Sequence, residues 1–262
     1  MKEKWENITA KLPAAAALCL ILILWQGLCM TGIIPAYMLP SPVSVCRAVV
    51  GDFPNLMFHA SVSLQEAIYG LLIGIGLAFV VATLMDHFVL LHRALYPIMI
   101  ITQTIPTIAL APILVLWMGF GMAPKITLVV ITTFFPIAVG LLDGYKSVDP
   151  DMIRLMKAMG ANEKQVFYHV KFPASLPFFF SGLKISASYA VVSAVISEWL
   201  GGFEGLGVYM TRSRKAYAFD RMFGVILVIV VISLLLMLLV NILRDLSMPH
   251  LKAEKSREEN AH

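Results

Sequence analysis

Polar residues are so sparse in this sequence that the apolar runs between them set its architecture. Predominantly apolar runs cover residues 12–34, 62–85, 95–118, 124–142, 178–200 and 222–243. Each, as a helix, is long enough to cross a hydrocarbon core of ~30 Å, the fourth with least to spare. The pattern predicts an all-α integral membrane protein with six transmembrane helices and both termini on one side. A short segment 1–11 precedes a single membrane domain 12–245, and a charged tail 246–262 follows it.

The longest polar insert is the loop 143–177, between the fourth and fifth runs. Asp149 can cap a helix, Pro150 suits the first helical position, and Asp151 favours the positive helix end. Ile153, Met156 and Lys157 then recur at helical spacing. Gly160 follows, where a left-handed cap is easiest for glycine. Asn162 with Gln165 reads as a capping box opening a second helix. Pro173 and Pro177 are expected to stop that helix and re-aim the chain. Helix, glycine bend, helix and proline exit make a rigid knuckle between two spans. It is either a docking surface or an ordinary, partly helical loop.

The other runs differ in character. The second carries Gly70, Gly74, Ala78 and Ala82 at intervals of four, a stripe that admits close helix approach. The third holds Pro97, Pro106 and Pro112 around Thr102, Gln103, Thr104 and Thr107. Such a kinked polar stretch is a candidate translocation surface, or polar glue between helices. The fifth places Ser186, Ala190, Ser193 and Ser197 on one face, with Glu198 at its end. The sixth is large and aliphatic all round, which suits a lipid-facing position. The fifth is therefore expected to be central, its serines candidates for the pathway, and the sixth peripheral. Glu198 is expected either to meet substrate or a neighbouring loop, or to be a solvated interfacial charge.

Composition agrees with a membrane protein: 59% of the 262 residues are hydrophobic and 14% charged, against ~25% charged in soluble domains. With the N-terminus inside, the inner segments carry Lys2, Lys4, Lys11, Arg93, Lys146, Arg154, Lys157, Lys164, Lys171, Arg244, Lys252, Lys255 and Arg257. The outer ones carry only Arg47, Lys125, Arg212, Arg214, Lys215 and Arg221. This positive-inside bias puts the knuckle and both termini in the cytoplasm. It also explains the net charge of +4 without a nucleic-acid partner. Cys19, Cys29 and Cys46 have neither metal nor redox spacing. No P-loop, HExxH or catalytic triad is present, so no catalytic residue, metal site or cofactor is assigned to the chain.

Gly160 is followed, after nine intervening residues, by Val170, Lys171, Phe172 and Pro173. That spacing resembles the cytoplasmic loop of binding-protein-dependent ABC importer permeases, although Arg154, Leu155 and Met156 stand where the family has Glu-Ala-Ala. The Leu39-Pro40-Ser41-Pro42 sequence, the Pro-rich third run ending in Trp117, Gly119 and Gly121, and Glu198-Trp199 with Gly205-Leu206-Gly207 are similar to its nitrate/sulfonate/taurine branch. The likeness spans about 35–245. It implies a type I importer fold, a partner permease subunit (most simply a second copy), and an external solute-binding protein. It also implies a cytoplasmic ATPase that holds the ATP and Mg and docks on the knuckle. By the same resemblance the docking positions are Asp151, Arg154, Lys157, Ala158, Gly160, Ala161 and Pro173. Relatives carry nitrate, alkanesulfonates, taurine and thiamine- or riboflavin-related precursors, and the segment EWLGGFEGLGVYM leans towards a thiamine pyrimidine precursor. An ion-coupled secondary transporter would need buried acids at mid-membrane or inverted repeats. The sequence shows neither, and a non-transporting assembly protein would not need the polar faces of runs three and five.

Overall fold

The computed structural model of the protein describes residues 2–32, 34–35 and 38–248. The tail beyond residue 248, with Lys252, Lys255 and Arg257, lies outside the described residues, as do the side chains of Lys2, Lys4 and Lys11. Among the described residues the secondary structure is helical throughout. The helices are α1 (Lys2–Met30), α2 (Pro42–Gly51), α3 (Phe53–His87), α4 (Val89–Thr104), α5 (Thr107–Met118), α6 (Met122–Lys146), α7 (Pro150–Ala158), α8 (Glu163–Val166), α9 (Phe172–Gly201), α10 (Leu206–Lys215) and α11 (Phe219–Ser247). A π turn, Phe167–Lys171, joins α8 to α9.

By length and composition, α3, α6, the continuous run Glu163–Gly201 and α11 can each cross a bilayer, and the bent pair α4–α5 adds a fifth if its two halves form one broken span rather than a re-entrant loop. The apolar part Ala16–Met30 of α1 is shorter. The structure differs from the sequence expectation at two proline sites. The third run is not one helix: α4 and α5 meet at 102°. Pro106 has no N–H to donate, and Ile105 before it is forced out of the helical region, at φ −78° and ψ 123°. The second difference is at the knuckle exit, where Pro173 and Pro177 do not stop the helix. The wide π turn absorbs the mismatch, with the Phe172 N–H donating to the Phe167 carbonyl five residues back. Pro173 then lies in the first turn of α9, where a missing N–H costs nothing.

The chain divides into two units, Met1–His59 with Tyr209–Val228, and Ala60–Val208 with Ile229–His262. In the first, Ser41 caps α2 by accepting the Ser44 N–H. The Tyr209 hydroxyl donates to Asp52 at 2.5 Å, and the Trp25 indole N–H donates to the Pro40 carbonyl at 3.1 Å.

The second unit is built on one seam. Helices α6 and α9 pack backbone against backbone because Gly140 lies under the Phe178 carbonyl, Gly144 under Ser175, and Gly182 under the Pro136 carbonyl. Two serines of α9 cross the same seam. The Ser186 hydroxyl donates to the Thr133 carbonyl at 2.8 Å, and Ser193 to the Thr132 hydroxyl at 2.9 Å. Helix α3 packs on α6 through the stripe read from the sequence: Gly70 lies on Val129, Gly74 on Thr133, and Ala78 and Ala82 are fully buried. Phe79, Phe179 and Phe180 fill the core beside them. Most large residues of α11, among them Leu234, Leu235, Leu238 and Leu239, are exposed.

The seam gives the first prediction. A Val side chain at Gly182 would overlap the Pro136 carbonyl oxygen, which is backbone and has nowhere to go. Gly182→Val should lower stability by about 1–3 kcal/mol or more, read as a drop in the melting temperature in detergent. Gly76→Val, where a side chain meets nothing, is the control. Equal melting temperatures for the two variants would show that the seam does not hold α6 to α9.

Candidate functional site

Two places in the second unit combine built geometry with chemistry: the knuckle between α6 and α9, and a charged cluster at the far end of α9.

At the knuckle, local sequence accounts for nearly every turn. The Asp149 carboxylate accepts the Asp151 N–H at 2.8 Å, and Pro150 occupies the first helical position of α7. The helix ends in a Schellman motif: the Ala161 N–H donates to the Met156 carbonyl and the Gly160 N–H to Lys157, each at 3.0 Å. Gly160 lies at φ +87°, a conformation that side chains with a Cβ adopt at a cost. The capping box forms in both directions, Gln165 N–H to the Asn162 side chain at 2.9 Å and Asn162 N–H to the Gln165 side chain at 2.8 Å. Lys157 reaches Glu163 at 2.6 Å across the bend, an exposed pair that fixes an angle more than it adds stability. Arg154 pairs with Asp151 at 2.7 Å.

The knuckle is tied to the membrane helices behind it. Lys171, in the π turn, holds Asp86 at the end of α3 through both carboxylate oxygens, at 2.7 and 3.0 Å. This pair is largely shielded from water, so screening weakens it less than the exposed pairs. The ring of Phe167 lies 5.5 Å from that of Tyr145 on α6, and Val166 is buried. In contrast, α7 buries no residue at all. Met152, Leu155 and Met159, spaced for one helix face, are 55%, 60% and 75% exposed. Of Ile153, Met156 and Lys157, read from sequence as recurring at helical spacing, the first two are half-covered and Lys157 is exposed, and the outward apolar face is 152, 155 and 159. Its signal was present in the i, i+3, i+7 spacing. The expected docking positions Asp151, Arg154, Lys157, Ala158, Gly160 and Pro173 are exposed and Ala161 is half-buried.

At the other end of α9, Glu198 is buried, so its reading as a solvated charge does not hold; it meets the neighbouring loop instead. Ser63 of α3 donates to its Oε1 at 2.6 Å, and the Gly207 N–H donates to its Oε2 at 2.6 Å. The Leu206 N–H donates to the Ser63 hydroxyl at 2.8 Å. The carboxylate thus satisfies first-turn donors of α10, where a negative charge is favoured. Gly205 bends over it at φ +115°, its missing side chain leaving room for the carboxylate. Beside this group Lys125 of α6 donates to Glu66 of α3 at 2.6 Å, both side chains almost wholly buried. Glu66 and Glu198 are thus both buried, near the ends of their apolar runs. Ser63, Glu66 and Lys125 were missed as partners. For Glu66 and Lys125 the signal was an ionisable residue inside an apolar run, which is costly unless paired.

The pathway candidates separate into two groups. Ser186, Ser193 and Ser197 are buried, the first two across the seam and the third donating to the Ala194 carbonyl of its own helix. Thr102, Gln103 and Thr104 lie exposed at the end of α4, and Thr107 half-buried at the start of α5. Thr102 and Thr104 return their hydroxyls to the Met99 and Ile101 carbonyls, at 2.7 Å each. Gln103 Nε2 donates to the Ile131 carbonyl of α6 at 3.5 Å, beside the Thr132 and Thr133 groups that accept from Ser193 and Ser186.

The Glu198 cluster gives the second prediction. Glu198→Ala removes the carboxylate that accepts the Gly207 N–H and the Ser63 hydroxyl, and losing such buried hydrogen bonds costs about 1–3 kcal/mol each. The segment 201–207 should then be cut by protease at least tenfold faster in detergent, with Glu198→Gln intermediate. Native protection of the segment in Glu198→Ala would show that the carboxylate does not hold the loop.

Comparison with known proteins completes the site. A family model described as "Binding-protein-dependent transport system inner membrane component" matches residues 70–253. The chain is 37% identical over 216 residues to a "Probable ABC transporter permease protein" of Haemophilus influenzae, covering 82% of this chain and 88% of that one. It is 35% identical over 219 residues to the "Formylaminopyrimidine transport permease protein ThiX" of Halalkalibacterium halodurans, covering 83% and 88%. It is 27% identical over 243 residues to the "Taurine transport system permease protein TauC" of Escherichia coli (strain K12), covering 90% and 88%. Among solved structures, an amino acid ABC transporter aligns with a TM-score of 0.60 at 16% identity, over 76% of this chain and 94% of that one. The MetNI methionine ABC transporter in an inward-facing conformation aligns with a TM-score of 0.58 at 19% identity, over 69% and 92%.

Proposed function

The chain belongs to the family of binding-protein-dependent transport system inner membrane components, and from that premise we propose how its parts divide the work of import. It is a permease subunit of an ABC importer, a multi-pass protein of the inner membrane. In the proposed arrangement α7 is the docking element for a separate cytoplasmic ATPase, which binds ATP and Mg and performs the hydrolysis. A second permease subunit, most simply another copy, completes the pathway, and an external binding protein delivers the solute.

One observation carries this reading. Helix α7 is capped at both ends, joined to the bundle through Lys171–Asp86 and Phe167–Tyr145, and turns outward an apolar face of Met152, Leu155 and Met159 that no described residue of the chain covers. A surface patch of that kind, rimmed by Asp151, Arg154 and Lys157, fits a protein partner. The rigid tie behind it lets a push on α7 reach α3, α6 and α9. The 35% identity to a formylaminopyrimidine permease supports an organic substrate of the thiamine-pyrimidine class.

The experiment is Gly160→Val. At φ +87° a β-branched residue costs on the order of 1–3 kcal/mol of strain and re-angles α7 against α8. No span is touched, so the protein should insert normally. Copurification with the ATPase should fall ~10–100-fold, at 1.4 kcal/mol per decade, while Gly160→Asn, which tolerates this conformation better, should retain most of it. Native ATPase binding and transport by Gly160→Val would remove α7 as the docking element.

Orientation is tested separately. In a background lacking the three native cysteines, Glu163→Cys should react with impermeant thiol reagents only from the cytoplasm, and Lys215→Cys only from outside. Both positions are exposed. Labelling of both from one side would break the proposed topology.

A further inference from the structure

A cavity of about 320 Å³ opens where the end of α3, the start of α4 and the end of α6 converge. Its floor is Met85 and Leu142, both buried, and its rim is His92, Arg93 and Lys146. The Lys146 ammonium lies 2.9 Å from His92 Nε2 and 5.9 Å from the centre of the Tyr96 ring, which steadies it by cation–π attraction. Arg93, next in sequence to His92, is exposed. The one carboxylate in the cavity, Asp86, is already neutralised by Lys171 at 2.7 Å.

We propose that this cavity binds the phosphate headgroup of an acidic phospholipid. The second run ends, the third begins and the fourth ends around this one cavity, so these run ends lie together at a membrane surface. The cavity therefore lies at headgroup depth, and basic pockets between helices at that depth fit anionic headgroups. A planar guanidinium beside an ammonium gives both directed and point-charge contacts to phosphate oxygens. A lipid is favoured over a free phosphate by the apolar surroundings. Val89, which lines the cavity, is 65% exposed, and Leu90, Ile98 and Ile101 continue an exposed apolar surface along α4. Acyl chains can cover those residues, whereas a soluble anion leaves them bare.

The test is native mass spectrometry of the full chain purified in detergent, with dioleoyl phosphatidylglycerol, dioleoyl phosphatidylcholine or inorganic phosphate added. Phosphatidylglycerol should be retained and phosphatidylcholine not. Arg93→Ala with Lys146→Ala should weaken retention about tenfold or more, and the charge-keeping pair Arg93→Lys with Lys146→Arg should preserve it in a folded protein. Arg244→Ala, removing an exposed cation at the end of α11, should change nothing. Equal retention of both lipids, or full retention by the double alanine variant, overturns the proposal. Displacement of phosphatidylglycerol by millimolar inorganic phosphate also overturns it, by assigning the cavity to a soluble anion.

Discussion

The close approach of α6 to α9 is the constraint on which the second unit depends. Between helices in lipid there is no hydrophobic driving force, because the acyl chains are as apolar as leucine. Contact must come from shape and from hydrogen bonds that lipid cannot supply. Glycines at 140, 144 and 182 let backbone meet backbone, and Ser186 and Ser193 bond across the gap they leave. The serine face of α9 was read from sequence as a candidate pathway lining; within one subunit it is used by the seam.

With α6 and α9 fixed to each other, the two ends of α9 become positions in one frame. One end rises out of the π turn, where Lys171 holds Asp86. The other carries Glu198, which gathers Ser63 of α3 and the first turn of α10. The buried pair Glu66–Lys125 joins α3 to α6 at that same end. Burial of such a pair costs desolvation and is weak evidence for stability. Its value here lies in register: an ammonium held at 2.6 Å by the buried Glu66 carboxylate resists sliding along a helix face.

The legible part of this structure is the part decided within a few residues. Asp149, Pro150, Gly160, Asn162 and Gln165 formed the caps that their types and spacing announced, because a cap is a contract between neighbours. The small-residue stripe of α3 was equally readable, since its period is that of a helix. What could not be read was partnership across the chain. Ser63 and Glu198 are 135 residues apart, and Glu66 and Lys125 are 59 apart. Proline was the other blind spot. The same residue type produced a bend of 102° at Pro106 and a continuous helix through Pro173. The difference lies in what precedes each: an extended Ile105 in the first case, and a π turn able to shift the hydrogen-bond register in the second.

These features together decide how far a movement can travel. Helix α9 has 30 residues and so a length of ~45 Å, enough to run from the knuckle to the Glu198 cluster without a joint. Bound to α6 along a glycine seam, it cannot flex independently of its neighbour. A displacement imposed on α7 meets first a bend held by Gly160 and by Lys157–Glu163, then the Lys171–Asp86 pair, and then a rigid helix pair. The compliant places are elsewhere, at the α4–α5 break, where Thr102, Gln103 and Thr104 lie exposed around a proline that leaves hydrogen bonds unmade. In the proposed arrangement, with α7 as the docking element, this stiff path beside a broken helix would conduct force through α9 and leave the yielding to α4 and α5.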